Sequence, residues 1–227
     1  MYSADIKKIS RSFLPADFTV TNWETLEPYF KNLLDRDIST KEKLEQWLKD
    51  QSELEAVVNE DACWRQIKMT CDTENKSLEE AFNFFFMEIQ PKIQPFSDAL
   101  NKKLIHSPLL HELDAEKYFT YLRSIRKSIE LFREENIALQ AEAAVLQQQF
   151  GQISGAMVIS VNGEEYTIQQ AGKFLESHDR KLREDVYKQI QERRLKDKVK
   201  LDELYDKLIK LRDQEAQNAG FENYRDY

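Results

Sequence analysis

Glycine and proline are scarce in this chain of 227 residues, which holds 5 of each. Average proteins contain about 7% glycine and 5% proline. All the glycines lie at or after Gly151, and all the prolines lie at or before Pro108. The chain therefore contains neither glycine-rich motif that cradles phosphates, GxGxxG or GxxxxGK[ST]. The scarcity also disfavours sandwiches and barrels, because those folds need many tight turns.

Cysteines and long apolar runs are also few. Cys63 and Cys71 cannot make a disulfide framework, and on one helix they would lie about 12 Å apart, too far to bridge. We expect two reduced, partly buried thiols, as is typical of a cytoplasmic protein; a redox pair is the less favoured alternative. No apolar run approaches the roughly 18 residues that span a bilayer. Residues 1–8 have no apolar segment of the kind found in a secretory signal.

The charge balance is mildly acidic, with a net charge of −8 from 33 Lys and Arg against 41 Asp and Glu. Such a surface repels nucleic acid and anionic membranes, so neither is an expected partner. Residues 179–213 are locally basic, but the two signs alternate along them as on a solvated helix. Nucleic-acid binding through that stretch is the weaker alternative.

Hydrophobic periodicity predicts helices along most of the chain. Residues 1–38 are the exception and are interpreted as an irregular N-terminal arm. Capping boxes that begin at Ser39 and Ser77 predict helix starts at those two places. Pro91 and Pro95 fall inside the second helical pattern and predict a kink or a short break there, because proline removes a donor and clashes with the preceding turn.

A further helix is expected after Asp114, where apolar residues recur every three or four positions. We interpret them as one buried stripe, formed by Tyr118, Leu122, Ile125, Ile129 and Phe132. The same pattern continues to Phe150, and Gly151 is well placed to end the helix.

One segment has the period of a β-strand. Residues 157–161 are apolar and mostly β-branched, and Asn162-Gly163 follows them with two residues that tolerate positive φ. This predicts a β-hairpin at about residues 156–168. A capping box from Thr167 then opens a short helix, Asp179 caps the last helical stretch, and Gly220 ends it.

The predicted fold class is therefore mainly α, a multi-helix array with one β-hairpin. Three regions are expected: the arm at 1–38, a helical region at 39–150, and the hairpin with the C-terminal long helices at 151–227. We expect the last two regions to pack as one unit.

The histidines show no metal-binding spacing. His111-Glu112 begins like the zinc motif H-E-x-x-H, but position 115 is alanine. His106 would lie on another helix face, and His178 stands alone. We interpret all three as loop or cap residues. From the residues alone, no catalytic, cofactor-binding or metal-binding residue is predicted.

Four aromatic residues cluster near the second capping box. Phe82, Phe85 and Phe86 share one face of a helix, whereas Phe84 points elsewhere. A core seam is the favoured interpretation, and a ligand groove or partner surface is the alternative.

Four stretches, taken in order, resemble one protein family. They are residues 69–75, residues 131–137, the hairpin and its sequel at 153–184, and residues 210–212 with 218–227. The last stretch ends in Ala-Gly-Phe-x-Asn-Tyr-Arg-Asp-Tyr, the most specific of the four. Together they resemble the N-terminal portion of bacterial oligoendopeptidase F-type proteins, which are thimet-oligopeptidase-like zinc metallopeptidases.

The resemblance implies a mostly helical enzyme with a deep channel that hydrolyses short peptides. One Zn²⁺ ion would be held by an H-E-x-x-H helix and a downstream glutamate, and the motif's glutamate would activate water. Those residues belong to the C-terminal catalytic part of the family. No catalytic or metal residue is therefore transferred to this chain, and no cofactor is expected in it.

The expected function is that of the N-terminal channel-wall region of a cytoplasmic zinc oligoendopeptidase. The chain is expected to be inactive alone, with short peptides and the missing C-terminal catalytic part as its partners. The alternative is a non-catalytic helical protein-interaction module. Sustained heptads would favour that alternative, but the stripe after Asp114 holds for only about two.

Overall fold

A computed structural model of the chain describes residues 11–227, and these fold mainly as helices. The α-helices are α1 (Trp23–Asp35), α2 (Lys41–Cys71), α3 (Lys76–Phe84), α4 (Gln90–Ile105), α5 (Ala115–Leu131), α6 (Asn136–Gly155), α7 (Ile168–Ala171), α8 (Arg180–Lys196) and α9 (Lys198–Asn218). Strands β1 (Val158–Val161) and β2 (Glu164–Thr167) pair antiparallel. The predicted fold class is confirmed.

The described residues form two compact units. Unit 1 contains the described residues as far as Gln66 together with Glu88–Glu134, and unit 2 contains Ile67–Met87 with Glu135–Tyr227. In unit 1, α4 packs against both α1 and α5; in unit 2, α6 packs against α9. The units are interleaved along the sequence, and the regions 1–38, 39–150 and 151–227 stay a prediction about domain organisation.

The irregular arm predicted at 1–38 is wrong from Trp23 onward, because α1 occupies Trp23–Asp35. The Asn22 side chain caps this helix by accepting a hydrogen bond from the Thr25 N–H at 3.0 Å. Pro28 lies inside α1 on its exposed side. The apolar face of the helix is buried and outweighs the hydrogen bond that proline removes. Residues 1–10 lie outside the described part of the chain.

The segment before α1 is held by one carboxylate of α2. Glu53 accepts hydrogen bonds from the backbone N–H groups of Ser12 at 2.8 Å, Phe13 at 3.0 Å and Leu14 at 2.7 Å. Partial burial tends to raise the pKa of Glu53, but these donors outweigh burial and the pKa is lowered. The ionised carboxylate therefore attaches residues 12–14 to α2.

The C-terminal end of α1 is closed by a lysine of α4. The Lys103 ammonium donates to the carbonyls of Leu33 at 3.1 Å, Leu34 at 2.5 Å and Arg36 at 2.6 Å. The Trp47 indole also donates to the Leu33 carbonyl, at 2.8 Å. Partial burial lowers the pKa of Lys103. Carbonyls left unpaired at the end of α1 thus gain donors from two other helices.

The predicted helix starts are accurate to about one residue, but other residues supply the caps. α2 begins at Lys41, and its cap is Thr40 rather than Ser39, because the Thr40 hydroxyl accepts from the Lys43 N–H at 3.3 Å. α3 is capped by Asn75 rather than Ser77, since the Asn75 amide oxygen accepts from two backbone N–H groups of the first turn.

The short break predicted at Pro91 and Pro95 is not observed, since α4 runs through both, and the irregular turn of this region lies just before them. A π-helical turn at Phe85–Ile89 joins α3 to α4. Pro91 follows in the first turn of α4. Pro95 lies inside α4. The chain therefore remains helical through this region.

The predictions for α5 and α6 need two corrections. Within the apolar stripe after Asp114 only Leu122 is buried, and its other members are half-buried. The predicted single helix is two helices, because α5 ends at Leu131 and α6 begins at Asn136. The second helix also does not end at Gly151 but runs to Gly155. A glycine inside a helix costs about 1 kcal/mol, which tertiary packing readily outweighs.

The predicted hairpin and its turn are confirmed. Asn162 and Gly163 have φ of 54° and 86°, as a type I′ turn requires. The inward side chains Ile159 and Val161 join a core cluster with Val186 of α8. A two-stranded sheet is marginal alone, and this helix supplies the packing that it needs.

The caps around the last helices are also confirmed. Thr167 forms its predicted capping box, and Asp179 accepts from two N–H groups at the start of α8. The stretch is divided at Asp197 into α8 and α9. At the end of α9, Gly220 has φ of 86°, and the Phe221 N–H reaches the Ala216 carbonyl at 2.9 Å, which is a Schellman motif.

Candidate functional site

The three histidines lie on separate elements. His106 follows α4, His111 lies in a short 3₁₀ turn, and His178 precedes α8; all three are exposed. Over residues 11–227, no three His, Cys, Asp or Glu side chains are grouped so that they could hold a metal ion. Cys63 and Cys71 are exposed free thiols, so the expectation that they are partly buried is wrong.

The phenylalanine cluster is a core seam, as predicted. Phe82 and Phe85 are buried, Phe86 is half-buried, and the Phe82 and Phe86 ring centroids lie 4.4 Å apart. Phe84 points away and is exposed. No groove is needed to explain the three shared-face rings, because they pack on one another.

Two of the family-like stretches meet between α6 and α9. Asn136 belongs to the stretch at 131–137, is 1% exposed, and donates to the Glu215 carbonyl at 2.9 Å. Asn218 belongs to the last stretch and donates to the Asn136 amide oxygen at 2.7 Å. Two short polar side chains therefore join residues about 80 positions apart.

A third stretch packs on the same helix α6. Met69 is buried, and the Gln148 amide approaches its sulfur at 3.7 Å. A Cβ atom at Gly155 would lie 3.2 Å from the Thr73 hydroxyl oxygen, so glycine permits this close approach. The family-like stretch at residues 69–75 therefore contacts α6 through Met69 and Thr73.

A cavity of about 320 Å³ lies beside α6 and α9 in unit 2. We refer to it as the α6–α9 pocket, and its polar and aromatic walls come from Gln140, Gln147, Arg212, Glu215, Tyr224 and Tyr227. The two tyrosines follow the Schellman turn at Gly220, which directs the chain back toward α6. The most specific family-like stretch therefore forms one wall of this pocket.

The charges in the α6–α9 pocket are unevenly paired. The half-buried Arg212 guanidinium lies 5.6 Å from the centre of the Tyr224 ring, and in the described part of the chain no hydrogen bond or ion pair engages it. Glu215 is 4% exposed, and burial raises its pKa although the Gln140 side chain and the Arg212 charge oppose that shift. Burial and the Arg212 charge thus act on the Glu215 carboxyl in opposite directions, and no close ion pair joins the two side chains in the described part of the chain.

The pocket was not predicted from the sequence. Arg212 lies in a stretch of alternating charges that resembles any solvated helix, and its pocket neighbour Gln140 is far away along the chain. The only signal was the family-like stretch itself, which ends in tyrosines. Separately, no helix among residues 11–227 has the length and apolar character that a membrane span requires.

Comparison with known proteins identifies the first part of the chain. The model of the Peptidase M3 N-terminal domain family matches residues 13–132, which is more than half of the 227 residues. No curated protein matches the chain.

Solved structures extend the similarity over nearly the whole chain. An oligoendopeptidase F from Bacillus anthracis strain Ames is 23% identical, with a TM-score of 0.84, over 96% of this chain and 40% of its own. Another oligoendopeptidase F is 23% identical, with a TM-score of 0.83, over 90% and 36%. PZ peptidase A, solved with an inhibitor, is 22% identical, with a TM-score of 0.82, over 92% and 38%. These likenesses show the fold, and this chain spans only 36% to 40% of those proteins.

Proposed function

Because the chain belongs to the Peptidase M3 N-terminal domain family, we propose that it is the N-terminal part of a zinc-dependent oligoendopeptidase that hydrolyses short peptides. One observation supports this most: the oligoendopeptidase F structures match 90% and 96% of this chain but only 36% and 40% of their own length. The proposal places catalysis in the remainder of such a protein and the helices of this chain in the wall of its substrate channel.

The residues at positions 11–227 do not fit a zinc site. His106, His111 and His178 are exposed on separate elements, and the described residues hold no group of three metal-ligating side chains. No catalytic step is therefore assigned to them. The proposed role of the helices of this chain is to limit the substrate channel to short peptides. The protein is proposed to be cytoplasmic.

The purified 227-residue chain is the first test of this function. With added Zn²⁺ and an internally quenched peptide of about ten residues, we expect no turnover, because no described residue is assigned to the metal. Joining the chain to the C-terminal catalytic part that the proposal assigns to the intact protein is expected to give chelator-sensitive hydrolysis of short peptides and none of intact casein. Chelator-sensitive turnover by the pure chain would contradict the proposed division of roles.

Light scattering addresses the alternative of an interaction module. A discrete oligomer of this chain whose mass does not change with concentration would favour that alternative. A monomer, or association that grows with concentration, is expected for a part of a larger enzyme.

A further inference from the structure

Over the described residues, Arg212 differs from three other half-buried cations in having no ion-pair partner within 4 Å and no carbonyl that accepts from it. Arg36 pairs with Asp50, Arg193 pairs with Asp197, and Lys103 donates to three carbonyls. Arg212 has only the face of the Tyr224 ring among the contacts in the described residues. Because Arg212 lines the cavity with its donors unused by the described residues, an external anion can form a charge-assisted hydrogen bond with it.

The acidic neighbour makes no close ion pair with Arg212. Glu215 forms no ion pair with it within 4 Å in the described part of unit 2, and its backbone carbonyl, not its carboxylate, is the group that Asn136 engages. Burial favours the neutral form of its carboxyl. An anion entering the pocket therefore meets a guanidinium that no carboxylate approaches within 4 Å in the described part of the chain.

The rest of the wall suits a peptide rather than a bare anion. Gln140 and Gln147 are seven residues apart on α6, so they lie on the same face, and their amides can pair with peptide backbone groups. The cavity of about 320 Å³ falls within the range of small-ligand sites.

An exposed apolar row leads away from Arg212 along α9. Tyr205 is 59% exposed and Ile209 is 47% exposed, and with Arg212 they follow the spacing i, i+4, i+7 that places residues on one helix face. A ligand whose carboxylate contacts Arg212 could therefore lay apolar side chains against Ile209 and Tyr205.

We propose that the α6–α9 pocket binds the free C-terminal carboxylate of a short apolar peptide, with Arg212 as the anion partner and the Tyr205–Ile209 row as the contact for the preceding residues. That the ligand is a peptide, rather than another carboxylate, rests on the proposed function. The site makes Arg212 a specificity-determining residue that selects peptides by their free end, and it assigns no part of bond cleavage to this pocket.

The test compares two ligands that differ only in their terminal charge. Acetyl-Leu-Ala-Phe with a free carboxylate and the same peptide as its C-terminal amide are titrated into the 227-residue chain, and binding is followed by calorimetry and by ¹⁵N chemical shifts of Arg212 and its neighbours. A charge-assisted pair is expected to favour the acid by about tenfold or more. Equal affinities of acid and amide would overturn the proposal, and this comparison needs no variant.

Two variants locate the effect. Arg212→Met keeps the length of the stem but removes the charge, and it should abolish the preference for the acid while leaving the weak amide affinity unchanged. Arg194→Met changes an exposed arginine of α8 and should leave the preference intact. A preference that survives Arg212→Met, or that is lost equally in Arg194→Met, would contradict the assignment.

Inorganic phosphate and Ile209→Ser separate a peptide from a free anion. We expect phosphate to compete only weakly and Ile209→Ser to weaken the acid peptide. If phosphate binds as tightly as the peptide and Ile209→Ser has no effect, the pocket is an anion site and the peptide proposal is wrong. Because binding is measured without hydrolysis, failure here leaves the proposed peptidase role intact, and an inactive chain does not count against the pocket.

Discussion

Two half-buried cations, one in each unit, meet opposite surroundings. Lys103 in unit 1 is surrounded by carbonyls at the end of α1, whereas Arg212 in unit 2 faces a cavity and an aromatic ring. The Lys103 charge is fully used within the fold, because backbone carbonyls of the chain accept its hydrogen bonds. The Arg212 charge retains its bonding capacity, and that difference separates a structural charge from one available to a ligand.

Two glutamates on α2 repeat the contrast at close range. Glu53 receives three backbone N–H groups, and its pKa is lowered despite partial burial. Glu55 lies two residues later, and burial raises its pKa although the Gln51 side chain donates to it at 2.8 Å. Donors from the backbone favour the ionised form of one carboxyl, and desolvation disfavours it in the other.

The largest effect is expected for Lys103→Met. The substitution keeps the stem of the side chain but leaves the carbonyls of Leu34 and Arg36 without their donor, so the free energy of unfolding should fall by about 2 kcal/mol. Urea unfolding followed by circular dichroism measures the change. Lys92→Met, at an exposed position of the same helix, is the matched control and should stay within about 0.5 kcal/mol. A loss no greater than that of the control would break the contrast with Arg212.

A smaller loss, about 1 kcal/mol at pH 7, is expected for Glu53→Gln, because the charge that the N–H groups of Ser12, Phe13 and Leu14 stabilise is removed. The folded-state pKa of Glu53 is below its ordinary value of 4.5, so this stability is present above that value and is lost as the pH falls through the folded-state pKa. Urea titrations at several pH values should show wild type and variant converging in acid. Glu60→Gln, an exposed change on the same helix, should show no such convergence.

Glu55→Gln is expected to act in the opposite direction and more weakly. The folded-state pKa is raised, so the wild-type carboxyl contributes stability below the unfolded pKa and loses it as the pH rises through the folded value. The variant should therefore gain about 0.5 kcal/mol at pH 7 and nothing at pH 3. The nearby Tyr121 has its pKa raised to about 12, first by burial and then by the Glu55 charge. The substitution should lower the pKa of Tyr121, which ultraviolet titration measures. An unchanged value would contradict the influence of the Glu55 charge on Tyr121.

The smallest loss of stability is expected for Arg212→Met. Only a contact with the Tyr224 ring is removed, which is worth about 0.5 kcal/mol at a partly exposed site. The same urea experiment used for Lys103→Met measures it. A loss comparable with that of Lys103→Met would show that Arg212 is held by the fold, and the distinction between the two cations would disappear.

Features that depend on a few neighbouring residues were predicted from the sequence. Asn162-Gly163 defines the hairpin turn, and Thr167 and Asp179 cap helices through groups two or three positions away. Such signals are complete within one turn of chain, so no knowledge of packing is needed. The mainly helical fold class followed from periodicity for the same reason.

Features that depend on packing were missed. An irregular arm was predicted over residues that include Pro28, but the buried face of α1 outweighs the one hydrogen bond that this proline removes. Gly151 suggested a helix end, but α6 continues through it. The α6–α9 pocket could not be predicted because Gln140, Arg212 and Tyr224 become neighbours only after α6 packs on α9.

The Schellman turn at Gly220 determines the shape of the pocket without lining it. Gly220 does not line the cavity, yet its positive φ decides where Tyr224 and Tyr227 return. Alanine there has open space for its Cβ but must adopt a left-handed backbone that costs about 1 kcal/mol. A substitution of Gly220 should therefore weaken ligand binding although this residue does not contact the ligand. The backbone conformation at Gly220 thus contributes to recognition by placing the two tyrosines.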